Sequence, residues 1–181
     1  MMQNEEYYSE MDQISVIIFQ VGWEEFSIDL LDVKEIIKTG QIRRLPKSLD
    51  FIEGIYNYRG DIIHIINLKR KLNLNDYKIY RNDGTTNNIN DDDDDSKNFI
   101  IIVNINDNNI GFYVDRIIKV ERVNQKQLIG LSPILQTGIS DVEYIKGIVK
   151  FKDRPRIFID LRKILSEVEQ ISIQQNQNSL I

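Results

Sequence analysis

The sequence predicts a mainly β protein built as two tandem five-stranded β-barrel subdomains, with short helices and a short C-terminal helix. Three observations carry this. Ile occurs 33 times and Pro only three times in 181 residues, and a residue that is stiff at χ1 favours pleated strands over helices. The apolar runs are short and bounded by turn residues, as in a chain that reverses often. The chain also repeats itself, in two copies of one strand-turn-strand-helix pattern.

The elements follow in order. Residues 1–13 are a polar N-terminal arm. ISVIIFQV (14–21) and FSIDLL (26–31) flank Gly22-Trp23-Glu24-Glu25 and read as a hairpin. VKEII (33–37) is a further strand, and in IRRLP (42–46) Pro46 holds Leu45 extended. Ser48 to Ile52 has room for one helical turn. GIYNYRGDIIHIIN (54–67) reads as two strands joined at Arg59-Gly60-Asp61, where Gly60 can take a positive φ. Leu68 to Leu74 is a short helix capped by Asn67.

Residues 81–97 (RNDGTTNNINDDDDDSK) hold one Ile and no other large apolar residue. They bury too little to offset their ordering entropy, so a mobile acidic loop is expected there, dispensable for folding. It separates subdomain 1 (about 14–80) from subdomain 2 (about 98–160). FIIIVNI (99–105), IGFYV (110–114) and residues 117–122 restart the strand series, and 144–151 and 156–160 complete it. A C-terminal helix is expected at about 160–170, followed by a polar tail at 171–181.

The repeat is the firmest of these observations. FIEGIYNYRGDIIHIINLKRKL (51–72) aligns without a gap on YIKGIVKFKDRPRIFIDLRKIL (144–165). Gly54 falls on Gly147, Ile66 on Ile159 and Leu68 on Leu161, and Asn67 and Asp160 occupy the same N-cap position. Upstream, Val33 falls on Ile117 and Ile36 on Val120. Two copies of a five-stranded unit are most economically two barrels, because closure removes the exposed edges that invite aggregation. A groove between them would be lined by apolar residues from equivalent strands.

Composition excludes much chemistry. There is no Cys and one His, so thiolate metal sites, a Cys nucleophile and His-based zinc sites have nothing to build on. His64 sits in IIHII, where a structural or partly exposed strand position is expected. No phosphate-binding glycine loop is visible, and the Asp91–Asp95 run lacks the turn Gly and terminal Glu of a calcium loop. Those five aspartates account for the net charge of −5, and without them acidic and basic residues balance at 23 each. A neutral body is a poor match to a phosphate backbone, so no nucleic-acid partner is expected. Nor is a cofactor, a metal or direct membrane insertion. The N-terminus lacks a secretory pattern, which favours the cytoplasm.

FQVGWEEFSIDLLDVKEII (19–37), IRRLP, GIYNYRG (54–60) and the paired strand-helix segments together resemble the chemotaxis coupling protein family, CheW. The resemblance covers about residues 14–166, and GIYNYRG is its most specific motif. It departs at Tyr56, Tyr58 and His64 and in the length of the acidic loop. It implies two SH3-like five-stranded barrels and an adaptor without catalysis. The implied partners are the regulatory domain of the histidine kinase CheA and the cytoplasmic tips of methyl-accepting chemoreceptors. By position, the receptor-facing groove would hold Leu30, Val33, Ile36 and Ile117, with Glu35 and Arg59 as polar contacts. Core packing is the alternative role for the four apolar residues, a turn role for Arg59 and a solvated strand role for Glu35. The alternative function is a non-enzymatic β-barrel module that binds another ligand or nucleic acid.

Overall fold

Strand β1 (Gln13–Val21) is apolar on both faces, and both are covered in the computed structural model, which describes residues 12–46, 48–74, 97–130 and 143–179. Val16 and Ile18 join a cluster with Val123, Val149, Phe151 and Phe158. Ile17, Phe19 and Val21 join the largest cluster of the molecule. A strand buried on both sides needs no polar alternation, which is why it reads as one apolar run. Its repeat partner β6 (Lys97–Ile105) behaves alike. Ile101, Val103 and Ile105 enter the large cluster, while Ile100 and Ile102 face a third one with Tyr58, Ile63 and Ile65.

The other strands are β2 (Glu24–Asp29), β3 (Glu35–Lys38), β4 (Ile52–Tyr58), β5 (Asp61–Asn67), β7 (Asn108–Asn124), β8 (Leu128–Ile129), β9 (Ile145–Lys150) and β10 (Pro155–Ile159). The predicted mainly β character is what the structure has, but two details differ. The barrels are not closed: eight strands form one path, β3-β6-β7-β1-β2-β10-β9-β8, and β5, with β4 beside it, attaches to β7.

The two structural units also do not coincide with the two sequence repeats. One unit combines β3, β4 and β5 with β6 and the first half of β7, where β5 runs parallel to residues 110–113. The other combines β1 and β2 with the second half of β7 and with β8, β9 and β10. Each repeat thus lends its hairpin to the strands of the other. In this arrangement both apolar faces of β1 and of β6 are covered by clusters that draw on the other repeat. The alignment gave equivalent positions but not which copy each hairpin pairs with.

The equivalence itself is visible in the backbone. Gly54 and Gly147 both have φ of 155°. A Cβ on Gly54 would lie 2.3 Å from the Arg43 carbonyl oxygen, and one on Gly147 would lie 2.2 Å from that of Ile129. In each unit a neighbouring segment crosses the strand at a point where only Gly fits. Arg43 pairs with Ile55 there, as Ile129 pairs with Ile148.

Smaller differences concern helices. At Ser48 to Ile52 there is a single hydrogen-bonded turn, Ile52 N donating to the Leu49 carbonyl at 2.9 Å, and no helix. Helix α1 is only Leu68–Lys71, capped by Asn67 as predicted, with the Asn67 Oδ1 accepting from Arg70 N at 3.0 Å. After β10 comes a 3-10 turn, Leu161–Lys163, and helix α2 starts at Glu167 and runs to Ser179. It begins later and extends further than expected, because Asp160 caps the short turn instead and Ser166 and Glu169 cap the helix reciprocally. Gln13, assigned to the arm, opens β1. Residues 1–11 of that arm and residues 81–96 of the acidic loop lie outside the described residues, as do residues 180–181 of the tail.

His64 is fully buried on β5, opposite Ile55 and beside Ile110 of the central cluster. A partly exposed site was one of the expectations. Burial lowers the imidazole pKa, and neither ring nitrogen has a hydrogen-bond partner among the described residues.

Candidate protein-binding surface

The space between the units is filled, not open. Ile17, Phe19, Ile101, Val103, Phe112 and Ile159 occupy it with side chains from both repeats. What reaches solvent is the margin of this cluster. Ile36 lies opposite Ile101 and Ile117 lies opposite Phe19, so both project toward the inter-unit side. Val33, Ile36 and Ile117 are half-buried against the cluster. Leu30 sits in a 3-10 turn, Leu30–Asp32, and is 39% exposed.

Two further exposed aliphatic residues nearby in the chain or sheet were not singled out from sequence. Leu31 is 90% exposed and Val120 is 56% exposed. Val120 was within reach, because the repeat places it on Ile36, and it lies opposite Ile17. Leu31 had no such signal, because its exposure depends on the 3-10 turn between β2 and β3. Large aliphatic side chains left open to solvent at the edge of a core make a candidate contact surface.

The polar candidates sit elsewhere. Glu35 is opposite Ile102, whose side chain points into its own unit, so Glu35 turns away from the apolar strip. The Tyr58 hydroxyl donates to Glu35 Oε2, and Arg59 Nη2 donates to Glu35 Oε1 at 3.0 Å. The Arg59 guanidinium lies 5.3 Å from the Tyr58 ring centroid, within cation–π range. Arg59 and Gly60 form the tight turn expected from sequence, with φ of 54° and 92°. The Tyr58 hydrogen bond, and after it the Arg59 charge, hold the Glu35 carboxyl below its usual range, while the same bond pushes the Tyr58 phenol up. The six candidate residues therefore form two groups, an apolar strip and an ion pair around the corner from it.

No group of three or more metal-ligating side chains occurs among the described residues. No described helix is long and apolar enough to cross a membrane. The surface offers contacts, and residues 15–169 match the CheW-like domain family.

The chain belongs to the CheW-like family.

A chemotaxis protein CheW of Treponema pallidum is 32% identical over 158 residues, 87% of this chain and 85% of that protein. One from Thermotoga maritima is 28% identical over 160 residues, covering 87% and 91%. Among solved structures, the scaffolding protein TtCheW from Thermoanaerobacter tengcongensis superposes with a TM-score of 0.64 at 28% identity, covering 83% of this chain and 91% of that one. The CheW-like fold therefore accounts for the two SH3-like units, and the family match reaches into α2, to residue 169.

Proposed function

We propose that this CheW-like protein is a cytoplasmic chemotaxis adaptor that couples the tips of methyl-accepting chemoreceptors to the regulatory domain of the histidine kinase CheA. The observation that carries the reading is an apolar margin between the units, with Val33, Ile36 and Ile117 half-buried and Leu30, Leu31 and Val120 exposed. A helical hairpin laid along it would bury side chains that the fold leaves in water, at about 25 cal/mol per Å² of apolar area. Arg59, with its guanidinium oriented by Glu35 and Tyr58, supplies a directional charge around the corner from the strip that sets register. Membership of a scaffold family supports a role without catalysis.

Titration of the protein against a CheA regulatory domain and, separately, against a receptor-tip fragment tests this. Binding to both is expected. Binding to neither would sink the adaptor reading.

A further inference from the structure

The turn that carries Leu30 and Leu31 meets a guanidinium of the other repeat. Arg162 lies in the 3-10 turn after β10. Its Nε and Nη2 donate to the two oxygens of Asp160, each at 3.0 Å. The same Nη2 lies 3.3 Å from Asp32 Oδ1. Asp32 ends the turn that carries Leu30 and Leu31. Within that turn, Asp29 Oδ1 accepts from Leu31 N at 2.9 Å, and Val33 N donates to the Leu30 carbonyl at 3.2 Å.

The tie offsets only part of what burial of Asp32 costs at neutral pH. The second Asp32 oxygen is buried without a hydrogen-bond partner among the described residues. Burial outweighs the nearby guanidinium and raises the Asp32 carboxyl above its usual range. A carboxyl raised on folding stabilises the fold most below its unfolded pKa and loses that contribution as pH rises through its folded pKa. Ionised Asp32 is therefore a cost at neutral pH, and what it provides there is position. The tie also belongs to one wall only. The repeat places Arg116 on Asp32 and Lys69 on Arg162, two cations that cannot pair with each other.

We infer that Arg162 is a positioning residue that, through Asp32, holds the Leu30–Leu31 turn in the orientation on which a partner helix packs, an inference that rests on the adaptor reading. The Arg162 side chain is 46% exposed and that of Asp32 17% exposed, so the pair adds little to stability while it can still fix geometry.

The test compares the unsubstituted protein with Asp32→Asn, Arg162→Met and the double variant. Affinity for a receptor-tip fragment, melting temperature at neutral pH and amide exchange at Leu31 and Val33 are measured. Each single variant is expected to bind about tenfold more weakly and to exchange faster at the turn, and the double variant no worse than either. Asp32→Asn should melt at the same temperature or higher, which a merely stabilising role would not allow. Arg162→Lys, which keeps the charge but loses the fork, should recover part of the affinity. Unchanged affinity in both single variants, against an unsubstituted protein that binds, overturns this inference alone. Affinity losses matched by falling melting temperature in both variants also overturn it. No binding by the unsubstituted protein overturns the adaptor reading and this inference with it.

Discussion

Tyr58 and Glu35 come from different strands, 23 residues apart, and the tyrosine hydroxyl hydrogen-bonds the carboxylate at the rim of one unit. The bond does two things. It keeps Glu35 ionised, and it leaves the second carboxylate oxygen aimed at Arg59, whose side chain is 71% exposed. An exposed ion pair adds little to stability, and on the proposed adaptor reading the fixed direction of Arg59 serves recognition.

Arg59→Ala should therefore weaken binding to a receptor-tip fragment while folding stability moves by no more than about 0.5 kcal/mol. Urea denaturation beside a binding titration checks both. An unfolded variant would instead assign Arg59 a structural role at its turn.

Tyr58→Phe should return the Glu35 carboxyl toward its ordinary value. With its folded pKa lowered from 4.5, Glu35 contributes stability that is complete above pH 4.5 and lost as pH falls through the folded pKa. The variant should lose part of this acid-side dependence. A carbon-detected NMR titration of the Glu35 side chain reads it directly, and an unmoved midpoint would contradict the hydrogen bond as the cause.

Val120→Glu and Leu31→Glu place charge on the strip at residues with ample solvent access. Each should reduce receptor-tip affinity by at least about tenfold with little change in stability. Retained affinity in both would move the contact surface elsewhere.

Gly54→Ala and Gly147→Ala should each cost about 2–4 kcal/mol, because the added carbon meets a backbone carbonyl that cannot swing aside. The two costs should be similar, since the positions are equivalent in the repeat. Chemical denaturation of the two variants gives the comparison.

His64 provides a pH dependence of its own. Its folded pKa is lowered by burial from 6.5, so its contribution is complete above pH 6.5 and is lost as pH falls toward the folded value. His64→Leu should flatten the decline in stability between about pH 6.5 and pH 5, a range above ordinary carboxylate titration. Urea midpoints across that range decide it.

Much of this architecture was legible in the residues. The aligned glycines, Gly54 and Gly147, and the aligned caps, Asn67 and Asp160, marked equivalent backbone positions, and the structure gives each pair the same conformation or role. Strand exchange was hidden because alignment reports likeness and not pairing. A hairpin such as β1–β2 presents the same pattern whichever copy covers it. The apolar strip was readable where the repeat doubled a position, as with Val33 and Ile117. Leu31 was missed because its exposure comes from a three-residue turn with no repeat partner of the same shape. The Asp32–Arg162 tie joins residues 130 positions apart on opposite repeats, and nothing in local pattern connects them.

The shared strand β7 has a thermodynamic consequence. Its first half completes one unit and its second half the other, and the central cluster draws on both repeats. Neither repeat owns a core that would survive the loss of its companion. The protein should therefore melt in one calorimetric transition, despite being built of two units. Cleaved between its repeats, it would yield two fragments that are disordered apart and fold only on each other.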